Sequence, residues 1–250
     1  MNEVLSILLL SYIFSRYTLQ NQKQIEDRIG TWRGLGLQCV LFVVVWIVVM
    51  CFFLFHATII VYGFLSLGVH VLIDIFIIII RKLRPMDKRY LFGLDFILHI
   101  GIIFLGVFLI EANDFNQTSS ILSDVYIKYL YNSTFWRIVV LSSGLLMLWE
   151  PANYAFKIFF GNYKPASTDD DNLRNAGAII GAFERIVMFA MMYINVAIAI
   201  GIVLTAKTIS RYDQISKDKA FSQYYLIGTL YSITLAILIF IVTRSIYIGV

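Results

Sequence analysis

The chain has 250 residues, of which 60% are hydrophobic and 14% charged, with a formal net charge of +4. A soluble domain carries about a quarter charged residues, so this composition excludes one. The basic residues sit in short clusters between apolar blocks, a topogenic arrangement that also speaks against nucleic-acid binding.

In chain order, "MNEVLSILLLSYIF" opens with an apolar run that lacks a basic flank and a small-residue cleavage site. It reads as a short or tilted first helix rather than a signal peptide. Residues 15–34 form a polar connection carrying Arg16, Lys23, Arg28 and Arg33. A helix needs about 20 apolar residues to cross the hydrocarbon core. Leu37–Phe55 and Ala57–Ile80 meet that length, with His56 as an interfacial turn between them. Cys39 and Cys51 fall in one block but on different helix faces, so no disulfide is expected. The basic loop "RKLRPMDKRY" at 81–90 leads into a third span, Leu91–Ile110.

"FWRIVVLSSGLLMLW", residues 135–149, is flanked by tryptophans as an interfacial belt would be, but is short. It either spans with tilt or lies re-entrant. Ala176–Thr205 reads as one long span and Tyr224–Thr243 as another, joined by a polar connection at 206–220 with Lys207, Arg211, Lys217 and Lys219. The positive-inside rule places the basic loops in the cytoplasm. It thereby favours two crossings between Arg89 and Lys207, with 135–149 not spanning. Residues 111–175 are then an outer loop with embedded interfacial helices, and "STDDDN" at 167–172 is solvated charge. The expected fold is all-α, a polytopic transmembrane bundle of five to seven membrane helices in one integral domain over residues 1–250. Residues 1–110 hold the N-terminal helices and 176–250 a C-terminal helical pair.

Four polar residues stand out. In "HVLIDIFIIII", His70 and Asp74 are four residues apart, and in "LDFILHI" Asp95 and His99 repeat the spacing in reverse order. Each pair shares one helix face. The two histidines and the two aspartates are both centred on position 84.5, within the connecting loop. An antiparallel hairpin therefore brings His70 level with His99, and Asp74 level with Asp95. Charges at that depth cost several kcal/mol unless paired or wet, and two facing carboxylates repel. A divalent cation removes both difficulties. Two His nitrogens and two Asp oxygens suit Zn²⁺, Mn²⁺ or Fe²⁺, which could activate water. The alternative is a structural network of His–Asp bonds fixing helix register.

Further along, Glu184 lies inside an apolar helix beside Arg185, which points elsewhere, so each needs its own partner. Glu184 is a candidate general base; alternatively it caps or pairs with a nearby loop while Arg185 snorkels to headgroups. Lys207 and Arg211, four residues apart at a helix end, suit phospholipid headgroups. Gly177, Gly181 and Gly228 permit close helix approach, and an oligomer is compatible with the sequence.

The segments "HVLIDIFI", "FGLDFILH", "GAIIGAFERIVMF", "TAKTISRYD" and "QYYLIGTLYS" resemble, in this order, a bacterial membrane-protein family, the domain-of-unknown-function family three-three-zero-seven. The resemblance implies a multi-pass protein of the bacterial cytoplasmic membrane with a His/Asp pattern on its first helices, and no assigned reaction. Where that family shows a further His-to-Asp pair on the first helix, this chain reads Tyr12 and Arg16; before the tail tyrosines it has Gln223 in place of Glu.

Three function classes follow. The first is an intramembrane metal-dependent hydrolase of a lipid-type substrate, with His70, Asp74, Asp95 and His99 as ligands and Glu184 as base. The second is an ion- or proton-conducting or transport protein using the same residues. The third is a non-enzymatic accessory, sensor or effector subunit. No phosphate-binding loop, GxSxG elbow or HExxH helix is present in the sequence.

Overall fold

The computed structural model describes residues 9–20, 32–52, 57–84, 86–112, 133–165 and 171–248, and every regular element among them is helical. They fall into two compact units, the first running to Ser143 and the second from Gly144 to Ile248.

In the first unit, residues 9–13 are helical and widen into a π-turn at Phe14–Thr18. Three long helices follow: α1 (Trp32–Phe52), α2 (Ala57–Leu83) and α3 (Lys88–Ala112). α1 packs on the π-turn segment and on α2, and α2 packs on α3. The predicted hairpin is present. α2 ends on Arg81 and Lys82, cations suited to its C-terminal dipole. α3 opens with the Asp87 carboxylate accepting the Arg89 backbone N–H at 3.1 Å. The predicted turn at His56 and the loop proline Pro85 lie outside the described residues.

The hairpin is polar inside and apolar outside. Leu72, Phe76 and Ile79 of α2 are exposed, as are Ile97, Phe104, Leu105 and Phe108 of α3. His70, Asp74, Asp95 and His99 are buried, alongside a small core of Ile73, Ile77 and Leu91. Water would reverse this arrangement; hydrocarbon selects it.

α4 (Ser133–Met147) begins in the first unit and ends in the second. Its 15 residues rise about 22 Å, short of the roughly 30 Å hydrocarbon core. A turn at Leu148–Trp149 separates it from α5 (Glu150–Phe160), because Pro151 can open a helix but cannot continue one. After a 3₁₀ turn at Gly161–Tyr163 come α6 (Asp171–Tyr193), α7 (Ile198–Ser210), α8 (Tyr212–Lys217) and α9 (Lys219–Ile248). Of the acidic run at 167–172, residues 167–170 lie outside the described residues and the last two begin α6.

Two expectations are corrected here. The long span expected over Ala176–Thr205 is two helices, α6 and α7. Asn195 breaks it with φ of 58°, the Asn195 N–H bonds Met192 O at 3.2 Å, and the Val196 N–H bonds Met191 O at 2.9 Å. That is a Schellman C-terminus with Asn, rather than Gly, in the left-handed position. The connection at 206–220 is also largely helical. It contains α8, and the Asp218 carboxylate caps α9 by accepting the Ala220 and Phe221 N–H groups at 2.9 and 3.0 Å. α9 therefore starts five residues before the predicted Tyr224.

α9 packs along α6, around Met188, Met192 and Ala236, with Ile200, Leu204, Ile233 and Phe240 filling in. Among the described residues three helices are long and apolar enough to cross a membrane: Phe64–Leu83, Ala176–Tyr193 and Lys219–Ile246. Trp32–Val48 and Ile198–Ser210 are shorter apolar helices.

Candidate functional site

The mirrored spacing does what it predicts. The His70 and His99 rings stack with centroids 4.8 Å apart and planes within 8°. One turn along each helix, Asp74 and Asp95 share a single cation. That cation belongs to the chain. Arg16 Nη2 donates to Asp74 Oδ1 at 2.7 Å and to Asp95 Oδ1 at 2.5 Å, and Nη1 reaches Asp74 Oδ2 at 3.4 Å.

Arg16, counted above as a connecting-loop cation, is only 1% exposed. The physical reason for the correction is the pair of buried carboxylates. Their mutual repulsion and desolvation make this the most favourable place for a guanidinium, whose planar fork can bond two acceptors at once. The π-turn inserts an extra residue into the local winding, and Ser15, Arg16 and Tyr17 are all buried there. Tyr12, one turn before Arg16, stacks on both imidazoles, with centroids 5.9 Å from His70 and 5.5 Å from His99. Phe42 closes over His70 at 4.9 Å. The Gln20 amide donates to Gln38 and ties the segment to α1.

Sequence reasoning thus found four members of the cluster and missed Arg16 and Tyr12 as members. The signal was present: Tyr12 and Arg16 repeat the four-residue spacing of the other two pairs.

The His99 Nδ1 lies 2.7 Å from the Asp95 carbonyl oxygen, which can only accept, so Nδ1 carries a hydrogen. Nε2 has no hydrogen-bond partner and lies 3.8 Å from Asp74 Oδ1. Donor atoms of Asp74, Asp95 and His99, one from each, lie within 4.8 Å of one another, so this group could hold a metal ion. His70, the fourth expected ligand, stands outside that group. Parallel stacking sets its ring face to face with His99 instead of aiming both nitrogens at one point.

The other predicted site residues lie in the second unit. Glu184 accepts from Lys207 Nζ at 2.6 Å, so its carboxylate is committed to an ion pair. Lys207 Nζ also sits 5.3 Å from the Tyr225 ring centroid, and the Arg211 guanidinium 6.0 Å from that of Phe221. Arg185 finds partners other than Glu184, as expected, but it is buried rather than snorkelling to headgroups. Its Nε donates to Leu148 O at 2.9 Å and its Nη2 to Asn153 Oδ1 at 2.6 Å. One arginine therefore satisfies a carbonyl freed at the end of α4 and anchors the start of α5. Close by, Tyr231 donates to Ala152 O at 2.8 Å.

No family model, curated protein or solved structure matches the chain.

Proposed function

We propose that this chain is a multi-pass protein of the bacterial cytoplasmic membrane, with five to seven membrane helices, that binds and translocates a cation through the Asp74–Asp95–His99 cluster. The family resemblance of its quoted segments supports that location, and Arg211 is assigned to phospholipid headgroups at its edge, whereas Lys207 is taken up by Glu184. One observation carries the functional reading: two carboxylates and an imidazole converge in an enclosed site between lipid-facing helices, with Arg16 already acting as a cation among them. An enclosed site of this kind suits an ion. It is too closed to admit a lipid ester, since Asp95 and His99 are 1% and 0% exposed.

The hydrolase reading, with Zn²⁺, Mn²⁺ or Fe²⁺ activating water, is favoured by the three converging donors but disfavoured by the burial that closes the site to a lipid substrate. The test is flux in proteoliposomes loaded with a pH-sensitive or a metal-sensitive dye. Wild-type protein should give flux that Asp95→Asn abolishes. Equal leak from wild-type, Asp95→Asn and empty vesicles would sink the proposal.

A further inference from the structure

We infer that Asp74, Asp95 and His99 form a divalent-cation site for which Arg16 is a tethered, displaceable competitor. This rests on the ion-handling reading above and gives the ion its charge.

Three observations lead to it. The first is the geometry of the donors. His99 is held by its Nδ1–H on the Asp95 carbonyl, which leaves the buried Nε2 without a hydrogen-bond partner, 3.8 Å from Asp74 Oδ1. A buried ring nitrogen without a partner is costly, and a cation between it and the carboxylate would satisfy both. A mixed set of one imidazole nitrogen and two carboxylate oxygens suits Zn²⁺ or Mn²⁺.

The second is charge. A divalent ion would by itself balance the two carboxylates that Arg16 bridges.

The third is connectivity. All three donors belong to the α2–α3 hairpin, which has its own apolar core of Ile73, Ile77 and Leu91. Arg16 arrives on a separate segment, wound through a π-turn and packed on α1. That segment supplies none of the three donors, and its withdrawal takes away Arg16 together with the Tyr12 ring stacked on His99. Occupancy of the site and position of the segment are then mutually exclusive, which is the coupling an ion-driven conformational change requires.

The experiment titrates ZnCl₂ and MnCl₂ into the purified full chain in nanodiscs. Arg16→Met should tighten binding of at least one of the two ions by about 100-fold, the penalty lifted when the competent state was populated about 1% of the time. Asp74→Asn added to that variant should cancel the gain. Unchanged affinity in Arg16→Met overturns the inference. Where Arg16→Met fails to fold without metal, competition is read in the otherwise intact chain. Ser15, fully buried beside Arg16, is replaced by Cys in a background with Cys39 and Cys51 changed to Ala. Saturating Zn²⁺ should then speed thiol labelling at least 10-fold, with Asp74→Asn abolishing the effect; metal-independent labelling overturns the proposal. Proton flux without metal competition would overturn this inference while leaving ion handling intact. Competition without flux of any ion would uphold the site and overturn translocation.

Discussion

Replacing Arg16 by Met removes the guanidinium that bridges two buried carboxylates while roughly preserving side-chain bulk. Arg16 Nη2 makes charge-assisted bonds of 2.7 and 2.5 Å to Asp74 and Asp95. At about 1.5–3 kcal/mol for each bond to a charged group, the loss should be about 3–6 kcal/mol. This agrees with the roughly 3–5 kcal/mol found when one partner of a buried ion pair is deleted. Asp95→Asn alone should cost much less, because Arg16 and Asp74 remain as a one-to-one pair. The double variant Arg16→Met/Asp95→Asn relieves the carboxylate repulsion created by the first change, so its cost should fall below the sum of the singles by at least about 1.5 kcal/mol. Reversible unfolding in mixed micelles measures all four corners of the cycle. Additivity within about 0.5 kcal/mol would mean that Arg16 and Asp95 do not interact, and the described cluster would be wrong.

Other substitutions probe the second unit and the glycines. A Cβ at Gly144 would meet Thr243 Cγ2 at 2.8 Å and Phe189 Cζ at 3.1 Å. Gly144→Ala should therefore cost about 1–3 kcal/mol of overpacking. At Gly101 a Cβ meets nothing within 4 Å, and Gly101→Ala should be neutral or gain up to about 1 kcal/mol of helix propensity; the contrast is read from their unfolding midpoints. Asn195→Val forces a β-branched residue into the left-handed region and should cost about 1–2 kcal/mol, whereas Asn195→Gly should be tolerated in the same assay. Arg185→Met should lose at least about 2 kcal/mol by stranding Leu148 O and Asn153, and Arg185→Lys should not restore it, since a single ammonium cannot reproduce the guanidinium's two-direction reach; recovery to wild-type stability in the Lys variant would contradict that geometry.

The helical, lipid-facing character of the chain is legible because long apolar blocks admit one solution, a helix whose backbone bonds are internal. The hairpin site is legible for a different reason. His70, Asp74, Asp95 and His99 are local pairs reflected about one loop, so antiparallel pairing is enough to place them together. Asn195 is harder to read, because one polar residue in "MMYINVAIAIG" does not interrupt hydropathy; what it interrupts is the backbone, through its tolerance of positive φ. The α4–α5 break carried a plainer signal in "WEPAN", where a proline follows an acidic first-turn residue.

Arg16 is the instructive failure. Its partners lie 58 and 79 residues away, and no periodicity in the chain spans such a separation. Charge balance does span it. Once Asp74 and Asp95 are placed side by side away from water, something positive must join them, and the candidates include every basic residue in an apolar stretch as well as free ions. Arg16 stands four residues after Tyr12 in "SYIFSRY", at the spacing the other two pairs use, at the edge of the first apolar run. In a bilayer the apolar side chains are nearly interchangeable, so the few polar ones carry the specificity. Pairing them by charge across the whole chain, before assigning any to a loop, would have placed the guanidinium where a metal was expected.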